Sequence, residues 1–253
     1  MAAIKRAVVP PLMQMAAHPL RWALLTELAA GDHRVRELAA AVDEPQNLVS
    51  YHLRLLRSAG FIDARRSSFD GRDTYYHLNL TSCAGEFGEA AAALHPALAP
   101  ASIIQPTARS VLFLCSGNSA RSPMAEALLQ KKGQGRIRAA SAGSHPKPHV
   151  HRNAVRIMRD MYGIDLRGKR PQPLTAVGRR RFDHVITLCD KVREYAHDHG
   201  LATTMHWSLP DPSAAADSDQ ASYPEFRRVA GELNSRIEFL LPVLALRAEP
   251  RER

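Results

Sequence analysis

The stretch Val111-Leu112-Phe113-Leu114-Cys115-Ser116-Gly117-Asn118-Ser119-Ala120-Arg121-Ser122-Pro123 constrains this chain more than any other. An apolar, strand-forming run stops at a cysteine. Small polar residues, an arginine and Ser122-Pro123 follow, and then Met124, Ala127 and Leu128 recur at helical spacing. The pattern predicts strand, tight loop, helix. A loop of this kind at a helix N-terminus can turn its backbone N–H groups inward and cradle an anion. Cys115 sits where those amides and the helix dipole are expected to lower its pKa and make it a thiolate. Arg121 adds a planar fork suited to a tetrahedral oxyanion. A Cys-x5-Arg spacing alone is a weak signal. The strand before it and the helix after it are the context that a chemical reading requires.

The string resembles the loop of the low-molecular-weight protein tyrosine phosphatases and of the arsenate reductases that share their fold. That loop reads Cys-x-Gly-Asn-x-Cys-Arg-Ser, and this chain departs from it at Ala120, where the family usually has a second cysteine. The resemblance runs over about residues 109–247. It implies that Ser116, Gly117, Asn118, Ser119, Ala120, Arg121 and Ser122 hold an arsenate or phosphate oxyanion and that Cys115 is the nucleophile. It also implies that Asp211, in Pro210-Asp211-Pro212, is the general acid that protonates the departing oxygen. The Ser122 hydroxyl can donate to the Cys115 thiolate, and Asn118 can tolerate left-handed backbone within the loop.

Cys189 discriminates between the two activities. A thiol that ends a buried strand can be simply a small core hydrophobe. Yet Thr187-Leu188-Cys189 resembles the segment in which arsenate reductases of this fold carry a second redox cysteine, where the phosphatases usually have methionine. The third cysteine of the thioredoxin-linked reductases has no counterpart in Asp190-Lys191-Val192-Arg193-Glu194-Tyr195-Ala196. A three-cysteine relay within the chain therefore stops short. The second catalytic thiol is expected to be Cys189, if it reaches Cys115, or an external thiol (mycothiol, glutathione or a redoxin), with no bound cofactor or metal. Phosphatases of this fold tend to place aromatics after Asp-Pro to flank a phosphotyrosine ring. Here Ser213-Ala214-Ala215-Ala216 follows, with nothing to stack.

Around the loop, further strands are expected at 137–143, 182–190 and 205–209. Helices are expected at 123–132, 153–162, 191–199 and 223–245. Strands alternating with helices predict a parallel sheet covered on both faces, with the loop outside the carboxyl end of its first strand.

The first hundred residues read differently. Pro19 opens a helix with Leu20, Leu24, Leu25 and Leu28 on one face, and Val35, Leu38 and Ala39 mark a short second helix. Asp43-Glu44-Pro45 is expected to open a third, with Val49, Leu53 and Leu56 inward. Two strand-like runs, 61–66 and 74–78, flank Asp70-Gly71, a hairpin-turn signal. This is the layout of a winged helix-turn-helix. The run from Val49 to Gly60 resembles the ArsR family of winged-helix repressors, over about residues 12–95. The resemblance implies a homodimer with the third helix in the major groove of an operator. Gln46, Asn47, Ser50 and Tyr51 are then placed to reach base edges or phosphates. Arg54, Arg57, Arg65, Arg66 and Arg72 would neutralise phosphates. Family members often trap metalloid with cysteines in the second helix, and Arg34–Ala40 has none.

The whole-chain balance agrees. Of 253 residues, 34 are Lys or Arg against 25 Asp or Glu, a net charge of +9 that favours anionic partners. Three cysteines make no disulfide framework and suit a reducing cytoplasm. Neither a signal peptide nor a membrane span is expected. The expected fold is two domains: an α+β winged helix-turn-helix at 1–95, a Pro/Ala linker at 96–108 and an α/β three-layer parallel sheet at 109–253. The expected function is a DNA-binding regulator fused to a thiol-dependent arsenate reductase. The alternatives are a tyrosine phosphatase tethered to DNA and an oxyanion sensor without turnover.

Overall fold

The computed structural model describes residues 9–94, 109–177, 180–215 and 218–245. The chain divides into two compact units. The first takes in residues up to Arg66 and from Arg72 to Ser102, the second Ser67–Gly71 and the chain from Ile103 onward. The expected linker at 96–108 lies outside the described residues.

In the first unit, α1 (Pro11–Ala16), α2 (Pro19–Ala30), α3 (Val35–Val42) and α4 (Gln46–Ser58) precede an antiparallel hairpin, β2 (Ile62–Arg66) and β3 (Thr74–Leu78), and α5 (Leu80–Leu94). Val49, Leu53 and Leu56 turn inward against Leu24, Leu28, Leu38 and Ile62, all nearly inaccessible. The acids expected in the first turn of α4 stand just before it. Asp43 closes α3 in left-handed backbone at φ 52°, a conformation that Asp tolerates, and Pro45 is the N-cap of α4. A strand not expected from sequence, β1 (His33–Arg34), pairs with β3. Arg34 joins the helix pair to the hairpin: its guanidinium contacts Glu37 at 2.7 Å and Asp73 at 3.1 Å.

In the second unit the strands are β4 (Arg109–Cys115), β5 (Ile137–Gly143), β6 (His184–Thr187) and β7 (Met205–His206). They form one parallel sheet in the order β5-β4-β6-β7. The helices are α6 (Arg121–Lys132), α7 (Arg152–Tyr162), α8 (Asp190–Asp198) and α9 (Asp219–Ala245). From β4 the chain crosses through α6 to β5 on one side, and from β6 through α8 to β7 on the other. Right-handed crossovers in opposite directions put α6 and α8 on opposite faces. That is why Val111 to Leu114 are all buried: a central parallel strand is covered on both sides. It also makes the carboxyl ends of β4 and β6 the point where the winding reverses, where such sheets open a ligand crevice. Cys115 ends β4, and Cys189, two residues past the end of β6, is the N-cap of α8.

One core substitution tests the first unit. Leu53→Ala removes a fully buried side chain from the helix pair. It is expected to destabilise that unit by roughly 2–5 kcal/mol, read as a lowered midpoint in chemical denaturation of the full chain.

Candidate functional site

The loop after β4 is shaped by where its carbonyls go. Ser116 O accepts from His145 N at 2.8 Å, Gly117 O from Lys147 N at 2.9 Å and Ser119 O from His151 N at 2.8 Å. In a trans peptide the N–H of the next residue points opposite to the carbonyl, and none of the described peptides is cis. The amides of Gly117, Asn118 and Ala120 therefore face the side away from segment 145–151. Asn118 holds this shape from within, at φ 43°. Its Nδ2 donates to Ser122 Oγ (2.8 Å) and Ser141 Oγ (2.9 Å), and its Oδ1 accepts from Gln172 N (2.7 Å).

Because Ser122 Oγ accepts from Asn118, its own hydrogen is left for Cys115, whose Sγ is 3.0 Å away. The Ser122 amide reaches the same sulfur. Arg121, almost fully buried, donates from Nη1 to Leu209 O (3.0 Å) and from Nη2 to Asp211 Oδ2 (3.0 Å). Its Nε–H is buried with no hydrogen-bond partner among the described residues. A buried donor without an acceptor is unfavourable, and an oxyanion beside Cys115 would satisfy it.

The electrostatics correct one expectation. In the free site, burial pushes the Cys115 thiol up, against the pull of Arg121 and of the Ser122 hydrogen bonds. The expectation of a lowered pKa weighed the amides and dipole and left out burial. Asp211 behaves in the opposite way. Burial would raise its carboxyl, but the Arg121 charge and the Ser213 hydrogen bonds outweigh it and hold the group below its ordinary value.

A cavity of about 300 Å³ opens over the loop. Cys115, Ser116, Gly117, Ser119, Ala120, Arg121 and Asp211 line it, so most of the expected oxyanion residues come together. Asn118 and Ser122 stand behind them as braces, fully buried. Cys189 is 1% exposed, 3.4 Å from Ser116 Oγ, and is not among the lining residues.

The sequence reading missed the opposite wall. Lys147, Lys191, His145 and Tyr195 line the mouth, and the His145 and Tyr195 rings lie 6.1 Å apart edge-to-face. Aromatics do flank the site; they come from the loop after β5 and from α8, not from the segment after Asp211. Gly143 was also missed. A Cβ there would sit 2.6 Å from Ser116 O and 2.9 Å from Asn118 N, so only glycine lets β5 pass this close to the loop.

In the first unit, Gln46, Asn47, Tyr51, Arg54 and Arg57 form the exposed side of α4, with Ser50 half-buried between them. On the hairpin, Arg66 and Arg72 are exposed and Arg65 is half-buried. His52 is buried, with its ring 4.5 Å from that of His18.

A doubly wound sheet with a buried thiol at its switch point, a loop of outward carbonyls and an arginine at the next helix start defines a domain for thiol chemistry on oxyanions. The chain belongs to the low molecular weight phosphotyrosine protein phosphatase family, whose model matches residues 110–251. Residues 18–64 match the arsR family of bacterial regulatory proteins. One relative is the glutaredoxin arsenate reductase of Synechocystis sp., 31% identical over 134 residues, covering 53% of this chain and 96% of that protein. Another is an arsenate reductase of Halalkalibacterium halodurans, 34% identical over 133 residues, covering 51% and 91%. A solved arsenate reductase in the phosphate binding state is 29% identical, with a TM-score of 0.44, and covers 54% of this chain and 98% of that one.

Gly143→Ala is expected to displace the loop and lower phosphate affinity by about tenfold or more, measured by calorimetry on a variant with an unchanged melting profile. Alkylation of Cys115 by iodoacetamide in the free protein is expected to be slow near neutral pH and to accelerate as pH rises, since burial raises the thiol pKa and only the thiolate reacts. Alkylation that is already fast and pH-independent at pH 6 would show the loop amides and dipole outweighing burial.

Proposed function

We propose that this protein is a DNA-binding regulator whose second unit reduces arsenate. The observation that carries the reading is the unsatisfied Arg121 Nε–H beside a thiol that Ser122 already holds. Arsenate enters the cavity and accepts from that N–H and from the loop amides. The Cys115 thiol passes its proton to the Asp211 carboxylate as sulfur attacks arsenic. Asp211 returns the proton to the departing oxygen, which leaves as water with the proton that hydrogen arsenate brought. A second thiol then attacks the Cys115 sulfur. The sulfur–arsenic bond breaks, its electron pair stays on arsenic, and the products are a disulfide and arsenite. Oriented amides and a guanidinium supply the charge stabilisation.

The second thiol is external and small, such as mycothiol or glutathione, or belongs to a redoxin. An external thiol can enter the cavity directly, whereas Cys189 is buried off its wall, although near enough for its charge to act on Cys115 and Arg121. The printed names of the relatives support arsenate as the oxyanion. No helix among the described residues is long and apolar enough to cross a membrane. The proposed setting is the cytoplasm, with a homodimer through the winged-helix unit on an operator.

A second reading, hydrolysis of aryl phosphates, is favoured by His145 and Tyr195 at the mouth. One preparation assayed for both activities separates the two. Arsenite release that needs added thiol, with aryl phosphate turnover at least about a hundredfold lower in kcat/KM, is expected.

Cys115→Ser is expected to lower arsenate turnover by about a thousandfold or more. Cys189→Ala is expected to keep most of it when a small thiol is in excess. Collapse of turnover in Cys189→Ala under those conditions would identify Cys189 as the second thiol. For DNA, affinity is expected to fall steeply with salt, and Arg54→Ala to reduce the slope of log K against log salt by about 1. An unchanged slope would take α4 out of the phosphate contacts.

A further inference from the structure

Among the described residues, four side chains of fixed charge line the cavity over Cys115: Arg121, Asp211, Lys147 and Lys191. Arg121 and Asp211 meet at 3.0 Å and offset each other. Burial favours the neutral Cys115 thiol, against the pull of Arg121 and Ser122. The floor of the site therefore has no net formal charge, and the loop amides and the start of α6 add only partial charge. Hydrogen arsenate and hydrogen phosphate are dianions. Held beside the Asp211 carboxylate, such an ion calls for a further cation.

Lys147 is placed to supply it. Its main-chain N–H donates to Gly117 O at 2.9 Å. Its stem lies along the same residue: a Cβ on Gly117 would stand 3.2 Å from Lys147 Cγ and 3.8 Å from Cε. The lysine thus rests on the oxyanion loop itself, over a position that has no side chain.

The segment reads His145-Pro146-Lys147-Pro148-His149. Pro146 fixes its own φ, and Pro148 disfavours helical backbone at Lys147, so the side chain is presented from a restricted conformation. Asp211, between Pro210 and Pro212, is flanked in the same way. Among the described residues the exposed Lys147 ammonium has no hydrogen-bond or ion-pair partner. Its charge nevertheless reaches Asp211, where burial would raise the carboxyl and Arg121, Ser213 and then Lys147 hold it down. Lys191, in the first turn of α8, is the other cation of the wall and has no such anchor on the loop.

We propose that Lys147 sets the charge specificity of this site: its ammonium takes the outward oxygen of the bound oxyanion and selects a dianion over a monoanion of similar shape. The inference rests on the oxyanion reading of the loop, and it holds whether arsenate or an aryl phosphate is the substrate.

Sulfate and methanesulfonate are the probes, a dianion and a monoanion built on the same tetrahedral sulfur. Both are titrated into the full chain at constant pH and ionic strength, and the loop amide resonances are followed. Wild type is expected to bind sulfate more tightly than methanesulfonate by about tenfold or more. Lys147→Gln keeps the main-chain bond to Gly117. It is expected to weaken sulfate by about tenfold and methanesulfonate by less than about threefold. Lys147→Arg is expected to restore sulfate affinity to within about threefold of wild type. In arsenate turnover the loss in Lys147→Gln is expected mainly in KM, by about tenfold, rather than in kcat. Equal weakening of both probes in Lys147→Gln would show a merely structural role and overturn the proposal, as would unchanged sulfate affinity in that variant. If wild type bound neither sulfate nor phosphate at the loop, the oxyanion reading itself would fall, and this inference with it.

Discussion

The active half of this molecule depends on a chain of donors that runs from Asn118 to Ser122 to the sulfur of Cys115. Each link sets the direction of the next. Asn118 donates to Ser122, so the Ser122 hydroxyl has a hydrogen to offer the thiol. Asn118 itself is held by Ser141, on the neighbouring strand, and by the Gln172 amide. The Cys115 sulfur is thus oriented through strands β4 and β5 as well as through its own loop. Around this chain the outward carbonyls of residues 116, 117 and 119 leave the loop amides on the opposite side.

Burial works against ionisation at this site and in favour of anion binding. It disfavours the Cys115 thiolate, and it strengthens the attraction of Arg121 for any anion that enters. Arg121 is not idle while the site is free. It is turned to Leu209 O and Asp211, with one donor unspent. The Arg121–Asp211 contact holds the carboxyl below its ordinary value and on the cavity wall. In the proposed mechanism this one pair takes part in both binding and proton transfer.

Much of this was legible in the residues. Cys115 to Pro123 carries its own context, a buried strand and a helix start, so loop and arginine could be placed together from one string. The inward set Val49, Leu53 and Leu56 likewise left Gln46, Asn47, Tyr51 and Arg54 on the outer face of α4. What could not be read was set by tertiary approach. Gly143 ends a strand with no local sign that Ser116 O and Asn118 N press against its Cα. Lys147, His145 and Tyr195 reach the cavity from segments with no motif, and β1 is two residues long, too short for any periodicity. The net direction of the Cys115 pKa needed its burial, which a sequence does not report.

The loop after β4, with Arg121 Nε and the amides of Gly117, Asn118 and Ala120, is the proposed receptor for a tetrahedral oxyanion beside Cys115. A crystal structure of the protein with phosphate tests it most directly. Phosphate is expected in the cavity, within hydrogen-bond distance of Arg121 Nε and of those amides, with one oxygen facing Asp211 and phosphorus next to Sγ. Phosphate bound elsewhere, with Arg121 Nε still unpartnered and the loop amides turned away, would contradict it.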